Sequence, residues 1–126
     1  MDLRSKCWRD LAEHDDGERL LVSRFLPRGP AKIDRWERRL APSMRLDFAL
    51  HRRWITWREY AGLYLAEMWG RAPLLHELGD RAQMRPVTLL CSCSDVHRCH
   101  RDLLVRIVQR LFAQDAPVDA RDHAMA

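Results

Sequence analysis

The sequence predicts a small α/β domain, a partly parallel sheet of few strands flanked by helices. Three observations carry this. Short apolar runs end in turn signals, as at Arg19-Leu-Leu-Val-Ser-Arg-Phe25 and Val87-Thr-Leu-Leu-Cys91. The stretches between them repeat apolar residues every three or four positions. The run from Val87 passes through a polar loop into an amphipathic stretch, the strand–loop–helix join of parallel sheets.

Taken in order, residues 2–8 form a short first strand, and Asp15-Asp16-Gly17 marks a turn. Residues 19–25 form a buried strand that ends at Leu26-Pro27-Arg28-Gly29-Pro30, where two prolines and a glycine enforce a loop. Residues 33–40 are a short helix candidate, stopped by Ala41-Pro42, and Ser43 is placed to cap the next turn. From Arg52 to Trp69 the pattern is helical. Trp54, Trp57, Tyr60, Tyr64, Leu65 and Met68 lie three or four apart, and Gly70 is a plausible stop. Residues 73–83 follow as a helix with Pro73 in its first turn. The strand Val87 to Cys91 then leads to a last helix from about His100 to Phe112, with an apolar face of Leu103, Leu104, Ile107, Val108 and Leu111. The 126 residues read as one domain, with an ordered core over about 2–113 and a loose tail over 114–126.

Composition bounds the function. No apolar run approaches the roughly 20 residues of a membrane span, and Met1-Asp-Leu-Arg-Ser-Lys6 lacks an apolar signal region. A cytoplasmic location with reduced thiols is therefore expected. The net charge is +4. Of 22 basic residues only Lys6 and Lys32 are lysines, so 20 are arginines. Arginine forks suit phosphate and carboxylate. A GC-rich genome accounts for the excess equally well. The arginines are spread among 18 acids rather than clustered, so a nucleic-acid groove is open but not favoured.

The most informative segment is Cys91-Ser-Cys93-Ser-Asp-Val-His97-Arg98-Cys99-His100-Arg101-Asp102, which holds three of the four cysteines at a strand end and a helix start. Three chemistries compete for it. Cys91, Cys93, Cys99 and His100 offer a zinc ligand set. Against it, the spacing C-x-C-x5-C-H has no distant second pair, and adjacent Cys99 and His100 are poorly placed to turn toward one ion. Alternatively Cys93 or Cys99 is a nucleophile, its thiol acidified by arginines and the helix N-terminus. The phosphatase spacing of a cysteine, five residues and an arginine is absent, and no glycine lies between Cys91 and Arg101 to ease an anion cradle. The favoured reading is an anion site. His97, Arg98, His100 and Arg101 surround the helix start, and Arg24 and Arg28 reach the same rim if the two strands are parallel neighbours. A small anionic, phosphate-bearing or nucleotide-like ligand follows, with His100 or His97 as acid or base.

Blander roles stand beside these. Cys91, last in an apolar strand, and Cys7 suit packing. His51, His76 and His123 have no partner spacing. The Trp/Tyr stripe suits a core better than a base-stacking platform. Asp102 complements the helix dipole.

Five motifs occur in order: Arg24-Phe-Leu-Pro27-Arg28-Gly29; Trp36; Leu40-Ala41-Pro42-Ser43; Trp57-x2-Tyr60-x3-Tyr64-x2-Glu67; and Val87-Thr-Leu-Leu-Cys91-x-Cys93-x5-Cys99-His100-Arg101. Together they resemble the bacterial and archaeal family of domain of unknown function 488, over about residues 2–113. The resemblance implies one small cytoplasmic α/β domain and no particular reaction. It highlights Arg24, Pro27, Arg28, Gly29, Cys93, Cys99, His100 and Arg101. Some related sequences carry histidines here without the cysteines, which favours His97 and His100. The chain departs from the family pattern with Ser23 in place of a common aspartate and Leu26 in place of a common tryptophan.

Overall fold

The computed structural model describes residues 1–92 and 99–114. Strand β1 is Leu3–Cys7, β2 Glu18–Leu21, β3 Arg35–Trp36 and β4 Val87–Cys91. Helix α1 is Met44–His51, α2 Trp57–Trp69, α3 Ala72–Met84 and α4 His100–Gln114. The strands form one parallel sheet in the order β1-β4-β2-β3. The predicted α/β class is therefore observed, with a sheet that is parallel throughout.

β4 is buried along its whole length, as expected of a central parallel strand. Its side chains alternate between two cores. Val87 and Leu89 join Leu20, Val22, Tyr64, Met68, Leu75, Leu104 and Val108 under the helices. Leu90 joins Trp8 and Leu21 on the other face, packed by Ala31 and Ile33. One face is thus covered by helices and the other by loops.

A buried arginine holds those loops down. Arg19 donates to Asp16 at 2.6 Å, to the Lys32 carbonyl at 2.7 Å and to the Asp10 carbonyl at 3.0 Å. Lys6 adds a 2.9 Å bond to Asp16, and the Thr88 hydroxyl donates to the Asp16 carbonyl at 2.7 Å. Gly17 follows with φ +64°, and a Cβ there would lie 2.0 Å from the Pro86 carbonyl oxygen, so the turn into β2 admits only glycine.

Two sequence expectations are corrected. Residues 33–40 are not a helix: Arg35 and Trp36 pair with β2, and Arg38–Leu40 is a single 3₁₀ turn. Ile33 packs in the loop-covered core and Leu40 in the helix-covered core, so no single helix face could serve both. The helix expected from Arg52 starts later, at Trp57. Arg53 has φ 60°, and Thr56 caps α2 by accepting from Glu59 N–H while Glu59 accepts from Thr56 N–H. Trp54 is left on the surface, edge-on to Phe48. β1, β4, α3 and α4 lie within a few residues of expectation; α1 is not among the expected helices, but Ser43, expected as a cap, does cap it by accepting from Leu46 N–H. The tail from residue 115 lies outside the described residues. Among the described residues, no helix is long and apolar enough to cross a membrane.

Burial works against the Asp16 charge, but Lys6, the Glu13 amide and Arg19 outweigh it and hold its pKa down at about 2. A carboxyl depressed in the folded state contributes stability that is present above its unfolded pKa and lost as pH falls through the folded one. Urea unfolding should therefore show stability falling as pH drops from the ordinary 3.8 toward about 2. Asp16→Asn should flatten that slope, while lowering stability at neutral pH by about 3 kcal/mol because Arg19 loses its buried partner.

Candidate functional site

The carboxyl ends of β4 and β2 are neighbours, and α4 begins above them. This is the edge at which open α/β sheets bind ligands. Four consecutive-sheet and helix-start residues meet there: Cys91 at the end of β4, Cys99 just before α4, and His100 and Arg101 in its first turn. All four are buried. The Cys91 and Cys99 sulfurs are 2.6 Å apart. Arg101 Nη1 donates to Cys91 Sγ at 2.8 Å and to Cys99 Sγ at 3.4 Å. The Cys99 carbonyl accepts from the amides of Asp102 and Leu103, so Cys99 occupies the N-terminal cap of the helix.

His100 is fixed by the backbone. Its Nε2 lies 2.8 Å from the Val22 carbonyl, an acceptor only, so Nε2 carries the hydrogen. Burial, the largest influence, lowers the His100 pKa despite the opposing Cys91 charge. A neutral ring with hydrogen on Nε2 leaves the Nδ1 lone pair open, and Nδ1 lies 4.0 Å from Cys99 Sγ. The Tyr64 ring meets the imidazole edge-on, with centroids 5.8 Å apart.

Arg101 is 2% exposed. Burial disfavours its charge, but Cys91 and Cys99 more than compensate and raise its pKa. Among the described residues its hydrogen bonds go to sulfur alone, and its buried Nε has no partner. A buried cation needs a negative partner, so this arrangement favours sulfur in its thiolate form.

A ring of hydrogen bonds frames the cluster and draws distant segments together. Arg24 Nη2 donates to the Pro42 carbonyl at 2.8 Å. The Trp36 indole N–H donates to the Ser23 carbonyl at 2.8 Å. The Tyr64 hydroxyl donates to the Leu40 carbonyl at 2.6 Å. Glu67 accepts from the Ser43 amide at 2.8 Å and from its hydroxyl at 2.5 Å. Each of the five sequence motifs thereby contributes a member to one edge of the sheet.

Of the sequence-predicted residues, Cys91, Cys99, His100 and Arg101 come together. The donor atoms of Cys91, Cys99 and His100 lie within 4.8 Å of one another, so adjacent Cys99 and His100 do turn toward one point. Arg24 lies close by, two residues beyond the carbonyl that holds His100. Arg28 is exposed on the following loop, whose Gly29 sits against Trp8 on the opposite face. Cys93, His97 and Arg98 lie outside the described residues. The framing roles of Tyr64 and Glu67 are not legible from a helical stripe. Their only sequence signal is the motif they share.

The fold and this edge define a small parallel α/β domain with a buried Cys–His–Arg cluster at the sheet's carboxyl end. The chain belongs to the family of domain of unknown function 488, matching the model described as "Active DUF488-N3 subclade" over residues 3–111. It is 34% identical over 104 residues to Uncharacterized protein YeaO of Escherichia coli (strain K12), covering 79% of this chain and 90% of that one. It is 33% identical over 100 residues to Uncharacterized protein Mb3100c of Mycobacterium bovis, and equally to Rv3073c of Mycobacterium tuberculosis, covering 75% of this chain and 82% of each of those. No solved structure matches the chain.

The Tyr64 hydroxyl is the framing bond most cleanly tested. Tyr64→Phe keeps the ring against His100 and leaves the Leu40 carbonyl without its donor. It should lower unfolding free energy by about 1 to 2 kcal/mol in urea denaturation. An unchanged midpoint and slope would show that the bond contributes nothing.

Proposed function

We propose that the protein is a small enzyme that uses a cysteine thiolate at the head of α4 on a small anionic substrate. The observation that carries this is Arg101, a buried guanidinium whose Nη1 touches both sulfurs, at 2.8 and 3.4 Å. An arginine and a helix N-terminus beside a thiol both favour the thiolate, which is the nucleophilic form. Cys99 is the better nucleophile, because it alone combines the helix cap, Arg101 and the open Nδ1 of His100. Arg101 stabilises the thiolate, and His100, neutral with Nδ1 open, serves as the group that exchanges a proton with the substrate's leaving group. Cys91 shares the Arg101 charge.

Ultraviolet thiolate absorption against pH tests this directly. The native protein should keep a thiolate band well below the ordinary cysteine pKa of about 8.5. Cys99→Ser should remove most of that band, and Arg101→Met should move its midpoint upward. A band that appears only near the ordinary value would sink the reading.

Zinc is the second reading, favoured by the three convergent donors of Cys91, Cys99 and His100. Hydrogen on Nε2, held by a carbonyl, is also how ligating histidines are oriented. Arg101 weighs against it, since the guanidinium brings positive charge to the sulfurs a dication would need. Metal analysis of protein purified without an affinity metal column should find far less than one zinc per chain. One zinc per chain, released by chelator with loss of fold, would replace the thiolate reading.

A further inference from the structure

Beside the sulfur cluster, the same edge carries a second feature. A cleft of about 310 Å³ is lined by Phe25, Trp36 and Met44 and by four arginines, Arg24, Arg38, Arg39 and Arg71. We infer that this cleft binds a nucleoside monophosphate, with the phosphate on the arginines and the base against Phe25 and Trp36. The inference deepens the thiolate reading by naming the substrate class that would be presented to it.

Charge is the first argument. Four guanidinium groups border the cleft, and its lining contains no acid. Glu37, which follows Trp36, is spent on Arg39 in a two-pronged pair at 2.8 and 2.7 Å, which also lowers the Glu37 pKa. Among the described residues Arg38 and Arg71 have no ion pair. Arg24 is anchored through Nη2 to Pro42, while its Nε is buried without a hydrogen-bond partner. Such a set of forks suits a phosphate.

Surface chemistry is the second. Phe25 is 70% exposed, Trp36 41% and Met44 61%. Trp36 is held by its indole N–H on the Ser23 carbonyl and lies under Arg38, 5.7 Å from ring centroid to guanidinium carbon. A flat ring set in place before binding, next to cations, is a stacking surface for a base. The volume sits at the small end of ligand pockets, which begin near about 300 Å³.

Placement is the third. Three consecutive residues join the cleft to the sulfurs: the Val22 carbonyl holds His100, the Ser23 carbonyl holds Trp36, and Arg24 lines the cleft. Strand β2, which lies between β4 and β3, therefore links the cleft to the sulfur cluster. The larger cavity, about 540 Å³ between α2 and α4, is lined by Leu65, Trp69, Arg106, Ile107, Arg110 and Leu111 and shares no residue with either feature.

Calorimetric titration with AMP, inorganic phosphate and adenosine tests the inference. AMP should bind more tightly than either of the other two. Phe25→Ala should weaken AMP toward the level of phosphate and leave phosphate unchanged. Arg38→Ala combined with Arg71→Ala, both on exposed side chains, should weaken AMP and phosphate at least tenfold. AMP binding no tighter than phosphate, indifference to both variants, or binding of single-stranded oligonucleotide alone would overturn it. The thiolate band of the native protein, read beside its AMP binding, separates the two readings. Intact AMP binding without a thiolate band in the native protein would sink only the thiolate, and a thiolate band without AMP binding would sink only the cleft.

Discussion

The structure depends on β4 being central and buried. A parallel strand between two neighbours must present apolar side chains to both faces, and Val87, Leu89 and Leu90 do so. Its register with β1 and β2 sets where every nearby group ends. Cys7 pairs with Cys91 and Leu21 with Leu90, so β1, β2 and β4 finish at one level. Cys91 points into the helix-covered side because it is two residues beyond Leu89 and four beyond Val87. Shifting β4 by one residue would turn Cys91 to the loop-covered face and dismantle the cluster.

Where parallel strands end, backbone carbonyls lose their ladder partners and need others. Here His100 takes Val22 and Trp36 takes Ser23 just past β2, while in the segment after β3 Tyr64 takes Leu40 and Arg24 takes Pro42. The same bonds that satisfy the backbone fix the imidazole tautomer, the indole plane and one guanidinium. Structural and functional demands therefore fall on the same residues. Ser23 illustrates this: its carbonyl holds Trp36 while its hydroxyl turns back to the Phe25 carbonyl, which shapes the bend that follows β2.

Much of the fold was legible because it rests on local signals. The apolar run at Val87, the Ser43 cap and the prolines after residue 25 each act within a few positions. The failures have one cause. Ile33, Trp36 and Leu40 have helical spacing, yet they belong to opposite sides of a sheet, and which side a residue serves is a tertiary fact. Arg101, read from the sequence as a residue at the helix start, is buried against two sulfurs from residues eight apart, a contact that spacing alone does not show. The convergence of Cys91, Cys99 and His100 is likewise not written in their spacing, because it depends on the turn into α4.

Burial of Arg101 also divides the arginines by role. On the proposed thiolate reading, a guanidinium enclosed beside two sulfurs already has its counter-charge, and one of its nitrogens reaches both. A lysine there would present a single mobile charge on a strongly hydrated head. An incoming anion would have to compete with thiolate for Arg101, so the inner arginine is poorly suited to capture substrate. Arg38 and Arg71, exposed and without ion pairs among the described residues, are free of that competition. On this view the inner arginine sets the ionisation of sulfur, and the outer ones supply the attraction that brings an anion to the edge.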